Sequence, residues 1–225
     1  RSTEYTIIYQ GANPYSCFVD EYGNLYFVDA SDNTINMVSY LDLWSGFTNY
    51  YYTLYSRDDD NHAINTPVAL SVIHSDDLYF INNVVDEESG VLNKAKAKVQ
   101  NENGAEIEQK VKGEVGGWGL AVSDDYVFFT TTDGNLWYMD RDDKTDTAIK
   151  AEGVLKDGRG ICYGEDSIYV ADFAADKIYE FDEDDDSEDG DDDDVWTAVA
   201  HPYAVYCVNS AVGFTMSVLV VLLLQ

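Results

Sequence analysis

The feature that most constrains this chain is a five-fold internal repeat of one short strand. Leu25-Tyr26-Phe27-Val28-Asp29, Leu78-Tyr79-Phe80-Ile81-Asn82, Val127-Phe128-Phe129-Thr130-Thr131 and Ile168-Tyr169-Val170-Ala171-Asp172 are the clear copies, and Val212-Gly213-Phe214-Thr215-Met216 is a weaker fifth. Their first residues stand 53, 49, 41 and 44 apart. Each copy follows a turn-rich lead-in and a short first strand, opening at Asn13-Pro14-Tyr15, Thr66-Pro67-Val68, Gly117-Trp118-Gly119, Gly158-Arg159-Gly160 and His201-Pro202-Tyr203. Turn residues such as Glu21-Tyr22-Gly23-Asn24 and Ser75-Asp76-Asp77 then reverse the chain into the copied strand. The unit is an antiparallel meander, and a period of 40 to 50 residues with four strands per unit is the pattern of radially repeated sheets.

A third strand is expected at Thr34–Ser39, Val91–Val99, Asn135–Met139, Lys177–Phe181 and Ser217–Leu224, and a fourth at Tyr51–Tyr55, Ala105–Lys112, Thr147–Ala151 and Val195–Val199. The fifth unit reaches Gln225 before a fourth strand can form. Glu4–Tyr9 lies where every other unit has its predecessor's fourth strand, so pairing it with Ser217–Leu224 would remove two exposed edges. The sequence therefore predicts an all-β fold, a five-bladed β-propeller in one domain spanning 1–225, with the N-terminal strand completing the C-terminal blade. The blades are expected at about 12–56, 65–112, 116–151, 158–199, and 201–225 plus 4–9. No helix is predicted, because Lys94-Ala95-Lys96-Ala97-Lys98 alternates with period two.

The repeats resemble those of YWTD and NHL propellers, most closely in Asp166–Asp172 followed by Lys177–Phe181, and in Asp133-Gly134-Asn135-Leu136-Trp137-Tyr138-Met139. The resemblance covers about 210 residues at the level of the repeat and implies a propeller architecture. It leaves function open, since such propellers serve extracellular recognition, scaffolding and catalysis alike.

Charge narrows the choice of partner. Thirteen Lys and Arg against 43 Asp and Glu give a net charge of −30, which opposes nucleic-acid phosphates and anionic lipid. Asp182–Asp194 holds eleven of the acids, and the rest of the chain still carries −19. Read as an EF-hand with Gly190 at the sixth position, this stretch needs Glu at the twelfth, where Trp196 stands. An ordered acidic run calls for counter-charge, and the two options are Ca²⁺, with Asp185, Asp189, Asp191 and Asp193 as the candidate ligands, or a basic partner surface. The plain alternative is a solvated acidic loop. No other cofactor is indicated.

Lys94, Lys96 and Lys98 share one strand face, with Lys110 and Lys112 on the adjoining strand. Edge protection explains such lysines. The sharper reading is an assembly interface in which they meet Asp184, Asp185 and Asp186 of a neighbouring copy. That contact is heterologous and would propagate as a homopolymer or filament. Val218, Val220 and Leu222 enter a variant in which the terminal strand completes a neighbour's blade. The apolar run Ala211–Leu224 is short of the roughly 20 residues of a spanning helix.

His62, His74 and His201 form no recognisable triad, and among 43 acids no carboxylate pair can be singled out, so the chain is read as no enzyme. Cys17, Cys162 and Cys207 lie on first strands and are read as one strand face. Buried free thiols are the favoured state, and a bridge through Cys207 is the alternative. The acidic, lysine-poor and tyrosine-rich composition favours an extracellular protein. The function expected is a non-catalytic, self-assembling structural or interaction protein, and the alternative is a monomeric carbohydrate- or peptide-binding module. Trp44, Trp118, Trp137 and Trp196 could stack on a glycan, though core packing accounts for most such rings.

Overall fold

The computed structural model describes residues 8–11, 13–46, 50–57, 62–74, 76–97, 107–142, 147–183, 194–196, 202–208 and 217–221. The chain divides into two compact units, Arg1–Glu114 and Val115–Gln225, which are taken one at a time.

The first unit holds two four-stranded antiparallel sheets. Sheet one runs β1(Pro14–Val19), β2(Leu25–Asp29), β3(Thr34–Val38) and β4(Tyr52–Ser56) in that order, with a short helix α1(Tyr40–Trp44) between its last two strands. Sheet two runs β5(Pro67–Ile73), β6(Asp77–Asn82), β7(Leu92–Lys96) and β8(Glu108–Val111). The second unit repeats the meander with β9(Gly117–Val122), β10(Tyr126–Thr131), β11(Leu136–Asp140) and β12(Thr147–Ala151), then β13(Gly158–Gly164), β14(Ser167–Asp172), β15(Lys177–Asp182) and β16(Asp194–Trp196). A two-stranded sheet of β17(Ala204–Val208) and β18(Ser217–Val221) follows.

Each second strand is almost wholly apolar because its sheet is covered on both faces, which removes the inside–outside alternation of a half-exposed strand. In β14, Ile168 and Val170 join a cluster with Phe128, Leu136 and Ala151 of the preceding sheet. The intervening Tyr169 and Ala171 face the other way and pack with Val205 of β17. In the first unit, Tyr26, Val28 and Ile35 pack against Leu70, Val72, Leu78 and Phe80 in the same manner.

A buried polar residue at the end of the second strand ties three of the four complete meanders together, while in the third the buried Thr131, among the described residues, bonds only the following turn, through Asp133 and the Asn135 carbonyl. Asp29 accepts from the N–H groups of Asn13, Ser31 and Asp32 and from the Tyr9 hydroxyl. Burial alone would raise its pKa, but the donors of Asp32, Asn13, Tyr9 and Ser31 outweigh that and hold it below the ordinary carboxylate value. Asp172 accepts from Lys156, Asp157, Ala174 and Ala175 N–H groups. Asn82 has to donate as well as accept. Its Oδ1 takes the Asn65 N–H, while its Nδ2 reaches the carbonyls of Ala63 and Gly90. In all four complete sheets the next residue donates its N–H to the residue just before the first strand, as Ala30 to Asn13, Asn83 to Thr66, Thr132 to Gly116 and Phe173 to Asp157.

The element layout departs from the sequence reading in four respects. Four complete sheets are described, not five. Ser217–Val221, expected as a third strand, pairs directly with β17 through Val205↔Val220 and Cys207↔Val218, the place a second strand takes elsewhere. Its Val-Leu-Val-Val run after Ser217, apolar and largely β-branched, suits either place. Within the expected closing strand Glu4–Tyr9, residues 4–7 lie outside the described residues, and Ile8 and Tyr9 belong to no strand. Tyr9 instead bonds Asp29 and packs against Phe27 at 4.5 Å between ring centroids. Finally, α1 forms where no helix was predicted. Ser39 caps it by accepting from the Asp42 N–H at 3.2 Å, so Ser39-x-x-Asp42 was the local signal missed.

Cys162 and Cys207 are disulfide-bonded with a Cα separation of 5.6 Å, joining β13 to β17, while Cys17 is free and exposed. This overturns the buried-thiol expectation. The shared-face reading also fails. A bulge makes Pro14 and Gly158 equivalent, each facing the polar residue that ends its second strand, so Cys17 matches Ile161 rather than Cys162.

Two outcomes follow. Asp172→Ala leaves buried backbone donors unpaired and is expected to lower unfolding stability by roughly 3 kcal/mol in urea titration, with Asp172→Asn losing less. Replacing Cys162 and Cys207 together by Ser opens a link spanning 45 residues, for which loop entropy gives a loss of about 4 kcal/mol in the same assay.

Candidate functional site

The first strand of each complete sheet carries an irregularity one residue after its start, where an extra residue opposes its partner. The shift falls between Pro14 and Ser16, between Pro67 and Ala69, in β9 after Gly117, and between Gly158 and Gly160. The bulged residues are Tyr15 in β1, Val68 in β5, Trp118 in β9 and Arg159 in β13. A bulge rotates its residue out of the regular alternation and re-aims the side chain. Tyr203, just after Pro202 and before β17, holds the same place in the fifth lead-in.

In the second unit these positions converge. The Arg159 guanidinium lies 4.4 Å from the ring centroid of Phe173, 5.1 Å from that of Trp118 and 5.2 Å from that of Tyr203. Phe173 follows the buried Asp172 directly and meets Tyr203 edge-on at 6.2 Å. Asp157 fixes the arginine, receiving Nε at 2.9 Å and pairing with Nη2 at 2.7 Å. All five side chains are half-buried. The cluster is therefore a rigid cation framed by three aromatic rings and still open in part to solvent. Cation–π contact and the charge-assisted bonds of two guanidinium nitrogens to the single oxygen Asp157 Oδ2 each add to its order. Its chemistry is that of a contact surface rather than of proton transfer, since it presents rings and a permanently charged guanidinium.

The sequence-predicted residues are arranged differently. Lys94 and Lys96 do lie on one face of β7, yet both are paired within their own sheet. Lys94 Nζ stands 2.7 Å from Asp77, and Lys96 Nζ stands 2.8 Å from Asp77 and 3.0 Å from Asp76. Hydrogen bonding to Asp77 and Asp76 raises the Lys96 ammonium. For Asp77, burial works upward, but Lys94 and Lys96 prevail and lower the carboxyl. Lys110 pairs with Glu108 at 2.6 Å, and Lys112 is exposed on the segment after β8. Lys98, Asp184, Asp185, Asp186, Asp189, Asp191, Asp193 and Leu222 lie outside the described residues. Val218 and Val220 stand in β18 opposite Cys207 and Val205. Among the described residues no group of three or more His, Cys, Asp or Glu could hold a metal ion.

The start of the acidic stretch is nevertheless anchored. Glu183 accepts from Ser123 at 2.7 Å and from the Tyr163 hydroxyl, and Lys150 donates to its carbonyl at 3.0 Å. Burial first, then the Glu183 carboxylate, pushes the Tyr163 phenol well up.

Three comparisons bear on this geometry. No family model matches the sequence, and no curated protein does. Solved structures do match. One is from a nidogen–laminin complex, at 10% identity and TM-score 0.55, covering 71% of this chain and 55% of that one. A second is a catalytically inactive virginiamycin B lyase from Staphylococcus aureus with quinupristin, at 14% identity and TM-score 0.57, covering 90% and 62%. A third is a streptogramin B lyase, at 15% identity and TM-score 0.56, covering 93% and 69%. At these identities the likeness shows the fold, and the fold is an all-β propeller. The chain spans only 55% and 62% of the length of the first two neighbours.

Acid sensitivity in the first unit has an identifiable contributor. Burial is the largest single influence on Asp86 and raises its carboxyl, but the Ser89 hydroxyl, the Glu88 N–H, Arg57 and the Ser89 N–H together prevail and bring it down from 3.8 to about 2. A depressed carboxyl stabilises the fold above its unfolded pKa, and that contribution is lost as pH falls through the folded value. The side chain is 42% exposed, so solvent screens the effect. Asp86→Asn is expected to flatten the decline in stability between about pH 4 and pH 2, read by urea unfolding across that range.

Proposed function

We propose that this chain is a non-catalytic protein-recognition propeller whose second unit contacts its partner through Arg159, Trp118, Phe173 and Tyr203. The observation that carries the reading is convergence. A position that is merely irregular in each repeat brings an arginine, a tryptophan and a tyrosine together, with a third ring, Phe173, beside them. Trp, Tyr and Arg are the residues most enriched where interfaces concentrate binding energy, and rigid rings lose little entropy on contact. The nidogen neighbour was solved in a complex with laminin, which supports a protein partner for a propeller of this kind.

Two neighbours are lyases by name, so catalysis is the reading to weigh against this one. The described histidines give it little support here. His62 stands 3.5 Å from Glu88, and His74 is a turn residue with φ of 49°. An extracellular setting agrees with the Cys162–Cys207 bridge, since disulfides persist in oxidising compartments.

A partner that is a second copy, giving a homopolymer, is the narrower form of the proposal. Docking the acidic stretch 182–194 on Lys94 and Lys96 would have to displace Asp76 and Asp77, so little electrostatic gain remains. The route left to self-assembly is terminal strand exchange through β18, with Ca²⁺ at the acidic stretch as an accessory. Five repeats in a closed ring, and glycan binding in place of protein, also stay within the proposal. Sedimentation at low salt, high salt and with chelator separates the cases, because a monomer throughout removes the homopolymer.

For the main reading, cross-linked extracellular fluid is probed with the native chain, Arg159→Ala and Trp118→Ala. A protein partner retained by the native chain is expected to bind each variant about 30-fold more weakly, equal to roughly 2 kcal/mol, with urea stability preserved. Equal retention by all three proteins would remove the site.

A further inference from the structure

The first unit carries an exposed aromatic surface that the Arg159 cluster does not involve. Antiparallel pairing places the β1–β2 turn and the β3–β4 connection at one end of sheet one. There Trp44 is 79% exposed, Leu41 70%, Tyr22 65% and Val19 58%. Large apolar side chains grouped this way on a folded protein mark an interaction surface.

The group is built rather than loose. The Tyr40 N–H is held by Asn24 Oδ1 at 2.9 Å, and the Tyr40 ring lies over Gly23, where an added Cβ would come within 2.8 Å of it. Gly23 also has φ of +83°, so the turn needs glycine on both counts. Tyr40 and Trp44 have ring centroids 6.3 Å apart on α1, whose first turn Ser39 and Asp42 close. The rings are thus presented on a capped helix braced by the neighbouring turn, which lowers the ordering cost of binding.

Charge decides what fits. From Ser2 to Ser56 the chain has no Lys or Arg. Asp20 and Asp29 are buried in local hydrogen bonds, whereas Glu21 is exposed beside Tyr22, and Asp42 lies half-buried beside Leu41. The charged side chains that this end of sheet one itself contributes among the described residues are acids, Glu21 and Asp42, and with a net charge of −30 on the chain the surface attracts cations and repels anionic lipid and acidic peptides. Exposed Trp and Tyr faces add cation–π attraction for Lys and Arg. We propose that this end of sheet one docks a basic segment of another protein in which Lys or Arg alternates with aliphatic residues.

The test is fluorescence anisotropy of the full chain with labelled twelve-residue peptides of repeating Lys-Leu, Lys-Ser, Ser-Leu and Glu-Leu, and with phosphatidylcholine vesicles. The Lys-Leu peptide is expected to bind most tightly and to weaken with salt. Trp44→Ala and Leu41→Ser are expected to weaken it about tenfold each, and Glu21→Gln by a smaller factor. These positions are exposed, and unchanged thermal unfolding shows that the variants are folded. Arg159→Ala is expected to leave this affinity unchanged, which keeps the outcome separate from that of the main proposal. Undiminished Lys-Leu binding by Trp44→Ala and Leu41→Ser overturns the proposal in favour of diffuse attraction to the acidic stretch. Equal binding of Lys-Ser removes the apolar component, equal binding of Ser-Leu removes the cationic one, and preference for vesicles makes the surface a lipid contact.

Discussion

Burying a polar side chain that gathers the lead-in at the end of the second strand, as three of the four complete sheets do, is the constraint from which much of this structure follows. Asp172 draws the lead-in, through Lys156 and Asp157, and the following turn, through Ala174 and Ala175, onto a single carboxylate. Asp29 does the same with Asn13, Ser31 and Asp32, and Asn82 with Asn65, Ala63 and Gly90. A buried carboxylate is tolerated only when its oxygens are fully used, so the loop geometry around it admits little variation. The first strand must then begin at a set distance from that residue, and the bulge takes up the extra residue just beyond it.

The same constraint links fold to function. With the lead-in fixed, the bulged residue of each first strand is projected from the sheet at a defined point, whatever its chemistry. Val68 occupies that point in sheet two, where a small aliphatic serves packing. Trp118 and Arg159 occupy it in the second unit, with Tyr203 in the matching lead-in, and Arg159 becomes a charge framed by rings. The Cys162–Cys207 bridge joins the neighbouring first strands just beyond this cluster, so the short terminal sheet is held covalently where Tyr203 is needed. The exposed end of sheet one arises from a different source, a local capped helix inserted between β3 and β4.

Much of the architecture was legible in order. Four copies of one strand motif, regularly spaced, located the second strands β2, β6, β10 and β14, whereas the fifth, at 212–216, lies outside the described residues; alternating Lys and Ala identified β7 as a strand. The disulfide was open to the sequence only as one alternative, because cysteines 45 residues apart give no sign of being adjacent. Of the expected lysine face, Lys94 and Lys96 do share a face of β7, but Lys98 lies outside the described residues, Lys112 lies beyond β8, and the pair is engaged within its own sheet. Nothing local announces that Asp76 and Asp77, at the start of the paired strand, turn back onto Lys94 and Lys96.

Sequence by itself settled the repeat, the strand class and the acidic character, because these depend on side-chain period and charge, which are properties of neighbouring residues. Tertiary structure alone decided which residues meet. The convergence of Trp118, Arg159, Phe173 and Tyr203, and the pairing of Ser217–Val221 with the first strand of its unit, depend on register between segments far apart in the chain. Register is set by burial on both faces of a sheet and by where a bulge adds one residue, and neither is visible until the strands are side by side.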